Sequence, residues 1–132
     1  MQIQVFSGTS ERVAADLAAC GEVQFVSVHC DCTCDITALQ TAVSGAALHG
    51  ATSCLGAMSQ AGAPSPVVAF ALEDHEGDYG SAMRPLGDAP FEAGRAATFA
   101  ALEAADRVGE VPDLIWISCA PGAEEDILRG VE

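Results

Sequence analysis

Three cysteines alternate in Cys30-Asp31-Cys32-Thr33-Cys34, directly after His29. Soft thiolates this concentrated can hold Zn²⁺, Cu(I) or an iron–sulfur centre, with Cys54, Cys119 or His49 as a fourth ligand. Zinc sites usually space paired cysteines about two to four residues apart, so C-x-C chelates with strain. An extended segment would relieve this by placing Cys30, Cys32 and Cys34 on one side. The same thiols can form a disulfide, for instance with Cys54. C-x-C nevertheless lacks the C-x-x-C helix-start geometry that lowers a thiol pKa. The competing reading is cysteine buried as a small hydrophobe.

A second constellation is Gly50-Ala51-Thr52-Ser53-Cys54-Leu55-Gly56. Glycines let backbone approach a ligand, and hydroxyls both donate and accept. Past the carboxyl end of a strand in an open α/β sheet, such a turn can hold a carboxylate or other small anion against its N–H groups. Gly50, Thr52, Ser53, Cys54 and Gly56 are therefore the candidate ligand-binding residues. Without a ligand the stretch reads as a tight connection. Nucleophilic catalysis would need Thr52, Ser53 or Cys54 with His49 or His75 as base. No G-x-S-x-G elbow is present, so no enzyme is expected. His29, His49 and His75 are the only histidines available to haem, and no haem attachment motif accompanies them. Glu73-Asp74-x-Glu76-x-Asp78 lacks the order of an EF-hand loop and reads as a solvated turn.

The elements that must position these residues alternate. Gln2–Phe6 reads as a strand. Thr9 or Ser10 caps a helix bearing Val13 and Leu17, and Gly21 falls where that helix should stop. Val23, Phe25, Val26 and Val28 give a buried strand over Glu22–His29. Asp35 caps a helix with Ile36, Leu39 and Val43, ending at Gly45. A strand over Ala46–Ala51 precedes the glycine-bounded turn. Val67–Leu72 is an apolar run suited to a central strand, with Tyr79–Leu86 as a hairpin partner. Phe91–Val108 is an Ala-rich helix, Asp113–Cys119 a last strand holding Trp116 in the core, and Glu124-Glu125-Asp126 opens a short helix. Interleaved helices and strands predict a single α/β domain over 1–132. Its central sheet would be mixed and mainly parallel, flanked by helices, with an antiparallel hairpin section.

The chain has 132 residues and a net charge of −14, from five arginines, no lysine and nineteen acidic residues. A phosphate backbone would be repelled, so no nucleic-acid partner is expected, and anionic membrane surfaces are disfavoured too. Half the residues are hydrophobic, enough for a core. No apolar run approaches the roughly 20 residues a membrane span needs. The first residues lack the basic and apolar regions of a signal peptide, which predicts a cytoplasmic protein whose six cysteines are thiols.

In this order of elements, the strand Val23–Ser27, the Asp35 helix start with Leu39, Gly50-x-Thr52-Ser53-x-x-Gly56 and Val67–Leu72 resemble the N-terminal half of the FIST sensory domain. The tail is similar as well: Ala93-Gly94-Arg95-Ala96-Ala97, then Pro112-Asp113-Leu114, then Glu124-Glu125-x-Ile127-Leu128-x-Gly130. The glycine-bounded turn carries one residue more than the family pattern. The resemblance spans about residues 22–131. It implies a signal-transduction input domain that binds a small ligand such as an amino acid; one branch of the family resembles haem-binding nitric-oxide sensors. Because the family continues into a C-terminal half, the resemblance also implies a homodimer, a C-terminal-half partner or a signalling partner. Two other functions fit the sequence: a thiol-based metal or redox protein centred on Cys30, Cys32 and Cys34, and a stand-alone dimerising interaction module.

Overall fold

The computed structural model describes every residue except Leu55, and the chain clusters into two compact units, Met1–Tyr79 and Gly80–Glu132. Among the described residues, the first unit holds six strands and two helices: β1 (Gln2–Gly8), α1 (Ser10–Ala19), β2 (Phe25–Asp31), α2 (Thr37–Ala42), β3 (Ala47–Ser53), β4 (Ala57–Met58), β5 (Pro64–Ser65) and β6 (Val67–Glu73). Four strands form one sheet in the order β1-β6-β2-β3, and β4 and β5 make a small antiparallel hairpin. The α/β class and the mixed sheet expected from sequence are both present. The parallel pair is β2–β3, joined across α2, while β6 runs antiparallel to both β1 and β2.

Alternation along the strands decides which face is covered. Val26, Val28 and Cys30 on β2, and Val67, Ala69 and Ala71 on β6, are buried in one cluster with Val13, Ala14 and Leu17 of α1 and with Leu39 and Val43 of the α2 region. Each strand contributes every second residue, as a pleated backbone requires. The helix α1 begins where Thr9 Oγ1 accepts a hydrogen bond from the Arg12 N–H at 3.4 Å. Asp35 plays a similar part ahead of α2, its Oδ1 accepting from the Thr37 N–H at 2.9 Å. These bonds satisfy N–H groups that a helix start leaves without an intrahelical partner.

The second unit contains α3 (Pro90–Ala104) and α4 (Glu124–Val131). Pro90 opens α3, where its missing N–H costs nothing. The two helices meet through glycine: a Cβ on Gly94 would lie 2.5 Å from the Ile127 carbonyl oxygen, and one on Gly130 would overlap the Phe91 carbonyl. Residues 113–119, expected as a strand, are in none, and Leu114 and Trp116 are exposed rather than in a core. Their β-forming side chains supply propensity, but a strand exists only where a neighbouring strand takes its hydrogen bonds. Residues 80–86 likewise form no strand. Among the described residues, no helix is long and apolar enough to cross a membrane.

Candidate functional site

The face of the sheet opposite α1 and α2 carries the chemistry. On β2 the residues alternating with the buried Val26, Val28 and Cys30 are Phe25, Ser27, His29 and Asp31. The parallel register of β3 sets His49 opposite Ser27, Ala51 opposite His29 and Ser53 opposite Asp31. On the other side β6 sets Phe70 opposite Ser27 and Val68 opposite His29, and β1 sets Val5 opposite Phe70. Directly opposed residues share a face. The face is therefore polar along β2 and β3 and apolar along β6 and β1.

Ser27 is fully buried at the boundary. Its Oγ lies 3.0 Å from His49 Nδ1 and 3.2 Å from His29 Nε2, and the two imidazoles meet edge to face with centroids 5.9 Å apart. The Phe25 ring stacks against His49 at 6.5 Å. Burial, followed by the neighbouring His29, holds the His49 pKa below its ordinary 6.5. Two imidazoles bridged by one hydroxyl form a directional relay. The hydroxyl donates to one ring nitrogen and accepts from the N–H of the other ring.

Beside the relay is an open recess of about 250 Å³, lined by Ile3, Val5, Ser27, His29, Val68, Ala69 and Phe70. Ile3 and Val5 are 57% and 43% exposed, which makes the recess reachable from solvent. The surface it presents is hydrocarbon throughout, because the fully buried Ser27 keeps its hydroxyl between the two imidazoles.

The residues singled out from sequence are distributed differently. Gly50, Thr52 and Ser53 lie inside β3, which runs two residues further than the strand expected over 46–51. Gly50 and Thr52 alternate with His49 and so share the face of Leu48, which packs on the core; Ser53 shares the face of His49. A Cβ on Gly50 would lie 2.6 Å from the Val28 carbonyl oxygen, so glycine is required there by the close approach of β2. Cys54 is exposed in a turn, Gly56 has φ +75°, and Leu55 between them lies outside the described residues.

The cysteines do not follow the extended arrangement that would align all three. Their strand ends at Asp31 and the chain turns back over Cys32 and Thr33, leaving Cys30 buried, Cys32 exposed and Cys34 half-buried. Cys119 is exposed in the other unit. Among the described residues, no group of three or more His, Cys, Asp and Glu side chains is placed to hold a metal ion.

Sequence reasoning misses the relay because it weighs His49 as a fourth metal ligand, a general base or a haem histidine. The available signal was Ser27 and His29, two apart on a strand, with a second imidazole on the strand that follows one helix later. Comparison with protein-family models, with curated proteins and with solved structures finds no match for this chain.

Proposed function

We propose that this chain is a non-catalytic, small-ligand-binding sensory domain whose ligand sits in the recess on the open sheet face. The observation that carries the proposal is the Ser27–His29–His49 relay at the margin of a hydrocarbon-lined hollow. The ligand's hydrocarbon lies against Ile3, Val5, Val68 and Phe70, and its polar end lies toward His29 at the margin of the recess. An amino acid with an apolar side chain has this division within one small molecule. Ser53, one of the residues chosen from sequence, borders the same face through β3. The resemblance to the FIST sensory domain agrees in functional class. Signalling follows if the ligand binds one arrangement of the chain more tightly than another, because only differential affinity shifts a population.

A ligand that binds only the native state raises the melting temperature, so a thermal-shift screen against apolar amino acids and small carboxylates tests the proposal. The expected result is a concentration-dependent rise that His29→Ala abolishes and that Val5→Trp, which fills the recess, also abolishes. A screen with no rise, or a rise unchanged in both variants, overturns it.

A further inference from the structure

The cysteine cluster takes no part in the relay, yet its geometry is specific. Cys30 is the penultimate residue of β2 and is 3% exposed. The chain then makes a tight turn in which the Cys34 N–H donates to the Asp31 carbonyl at 3.0 Å. Asp31 fixes that turn through its carboxylate, which accepts from the Thr33 N–H at 2.9 Å and from Thr33 Oγ1 at 2.7 Å. The turn folds Cys34 back so that it packs against the same core cluster that contains Cys30. The Cys34 thiol is anchored from its other side, donating to Ser10 Oγ at 3.4 Å, while Ser10 donates to the Asp35 carbonyl. Cys32, at the tip of the turn, is exposed.

We propose that Cys30 and Cys34 form a reversible dithiol–disulfide couple that exchanges with small-molecule disulfides. The turn begins at Asp31, one residue after Cys30, and ends on Cys34, and both cysteines lie on one core cluster, which brings them toward the short Cα separation a disulfide needs. Cys34, the more accessible of the two, attacks as thiolate on one sulfur of the small disulfide. The S–S bond of that molecule breaks, one half leaves as thiolate and takes up a proton, and a mixed disulfide forms at Cys34. Cys30 then loses its proton to solvent and attacks the Cys34 sulfur, releasing the second half as thiol. Two protein thiols are oxidised and one small disulfide is reduced to two thiols. Burial, and then the neighbouring Cys34, hold the Cys30 thiol above its ordinary pKa, which suits it to the second step rather than the first.

The test uses the full chain carrying Cys32→Ser, Cys54→Ser and Cys119→Ser, all exposed positions, which leaves Cys20, Cys30 and Cys34. Oxidised glutathione is added to the folded protein, and alkylation with peptide mapping follows. The expected product has lost two hydrogens, with Cys30 and Cys34 both protected and joined and Cys20 still alkylated. A further Cys30→Ser change is expected to stop the reaction at glutathione on Cys34. Full alkylation of both cysteines after exposure, or glutathione retained on Cys34 when Cys30 is intact, overturns the proposal. So does an equal rate of bond formation in urea, because the folded turn would then contribute nothing.

Discussion

Gly50→Ala separates a structural glycine from a ligand-binding one. The added methyl would meet the Val28 carbonyl oxygen at 2.6 Å, closer than carbon and oxygen tolerate, and that oxygen belongs to backbone in the neighbouring strand. Overpacking of this kind costs about 1–3 kcal/mol. Alanine in place of glycine within a strand returns about 0.5–1 kcal/mol of backbone entropy. The net expectation is a loss of about 1–2 kcal/mol. For a domain the size of Met1–Tyr79, each kcal/mol lowers Tm by about 4–8 °C, so a drop of about 5–15 °C is expected. Gly45→Ala is the control: nothing lies within 4 Å of its Cβ position and its φ is not in the left-handed region. Its expected effect lies between zero and a gain of about 1 kcal/mol. Both variants are compared with the parent by urea and thermal unfolding followed by circular dichroism. If Gly50→Ala is as stable as the parent while Gly45→Ala behaves as stated, the β2–β3 register is wrong, and the pairing of Ser27 with His49 fails with it.

Tyr79 is the only tyrosine in the chain, so its titration can be read by absorbance. Its hydroxyl donates to Asp74 Oδ2 at 2.6 Å, and that bond, with burial second, pushes its pKa up to about 12. The folded value exceeds the unfolded value of 10, so this stabilisation is complete below pH 10 and is lost as pH rises toward 12. Tyr79→Phe should abolish that alkaline loss. A Tyr79 midpoint at 10 in the folded protein would refute the bond. For His49 the direction is opposite: its folded pKa is depressed, so the unfolded chain binds the extra proton. Stability from this source is intact above pH 6.5 and declines on acidification below it. His49→Gln should flatten the acidic side of a Tm-versus-pH curve, and an unchanged slope would contradict the buried neutral ring. In the second unit, Gly94→Ala and Gly130→Ala gain about 1 kcal/mol of helix propensity but drive a methyl into the facing helix backbone, so each should be net destabilising by about 1–2 kcal/mol. Neutral alanines at both positions in denaturant titrations would show that the helices do not meet there.

Much of the first unit was legible because strand composition is written locally. The β formers Val23, Phe25, Val26 and Val28 marked β2, and the continuous apolar run Val67–Leu72 marked the central β6. Thr9 was legible as a capping residue because one short side chain does the work, whereas the cap of α2 is Ile36, with Asp35 one residue before it accepting from the Thr37 N–H. The relay was not legible. It depends on the register between two parallel strands, which local sequence does not encode, and a one-residue slip would put His49 on the opposite face. The cysteine cluster failed as an extended array for a similar reason: Thr33 bonds to Asp31 and turns the chain within the motif. Residues 113–119 show the converse, since strong β formers such as Ile115 and Ile117 remain outside any strand.

The binding claim is tested most directly by long-range ¹H–¹⁵N spectra of the three histidine rings during titration with an apolar amino acid such as leucine. His75, which pairs with Glu73 and Gln24 beyond the end of β6, serves as the internal reference. Saturable movement of the His29 and His49 ring signals, with His75 unmoved, is the expected result. Rings that stay fixed at His29 and His49 while leucine saturates the protein elsewhere would contradict a ligand site on the open sheet face.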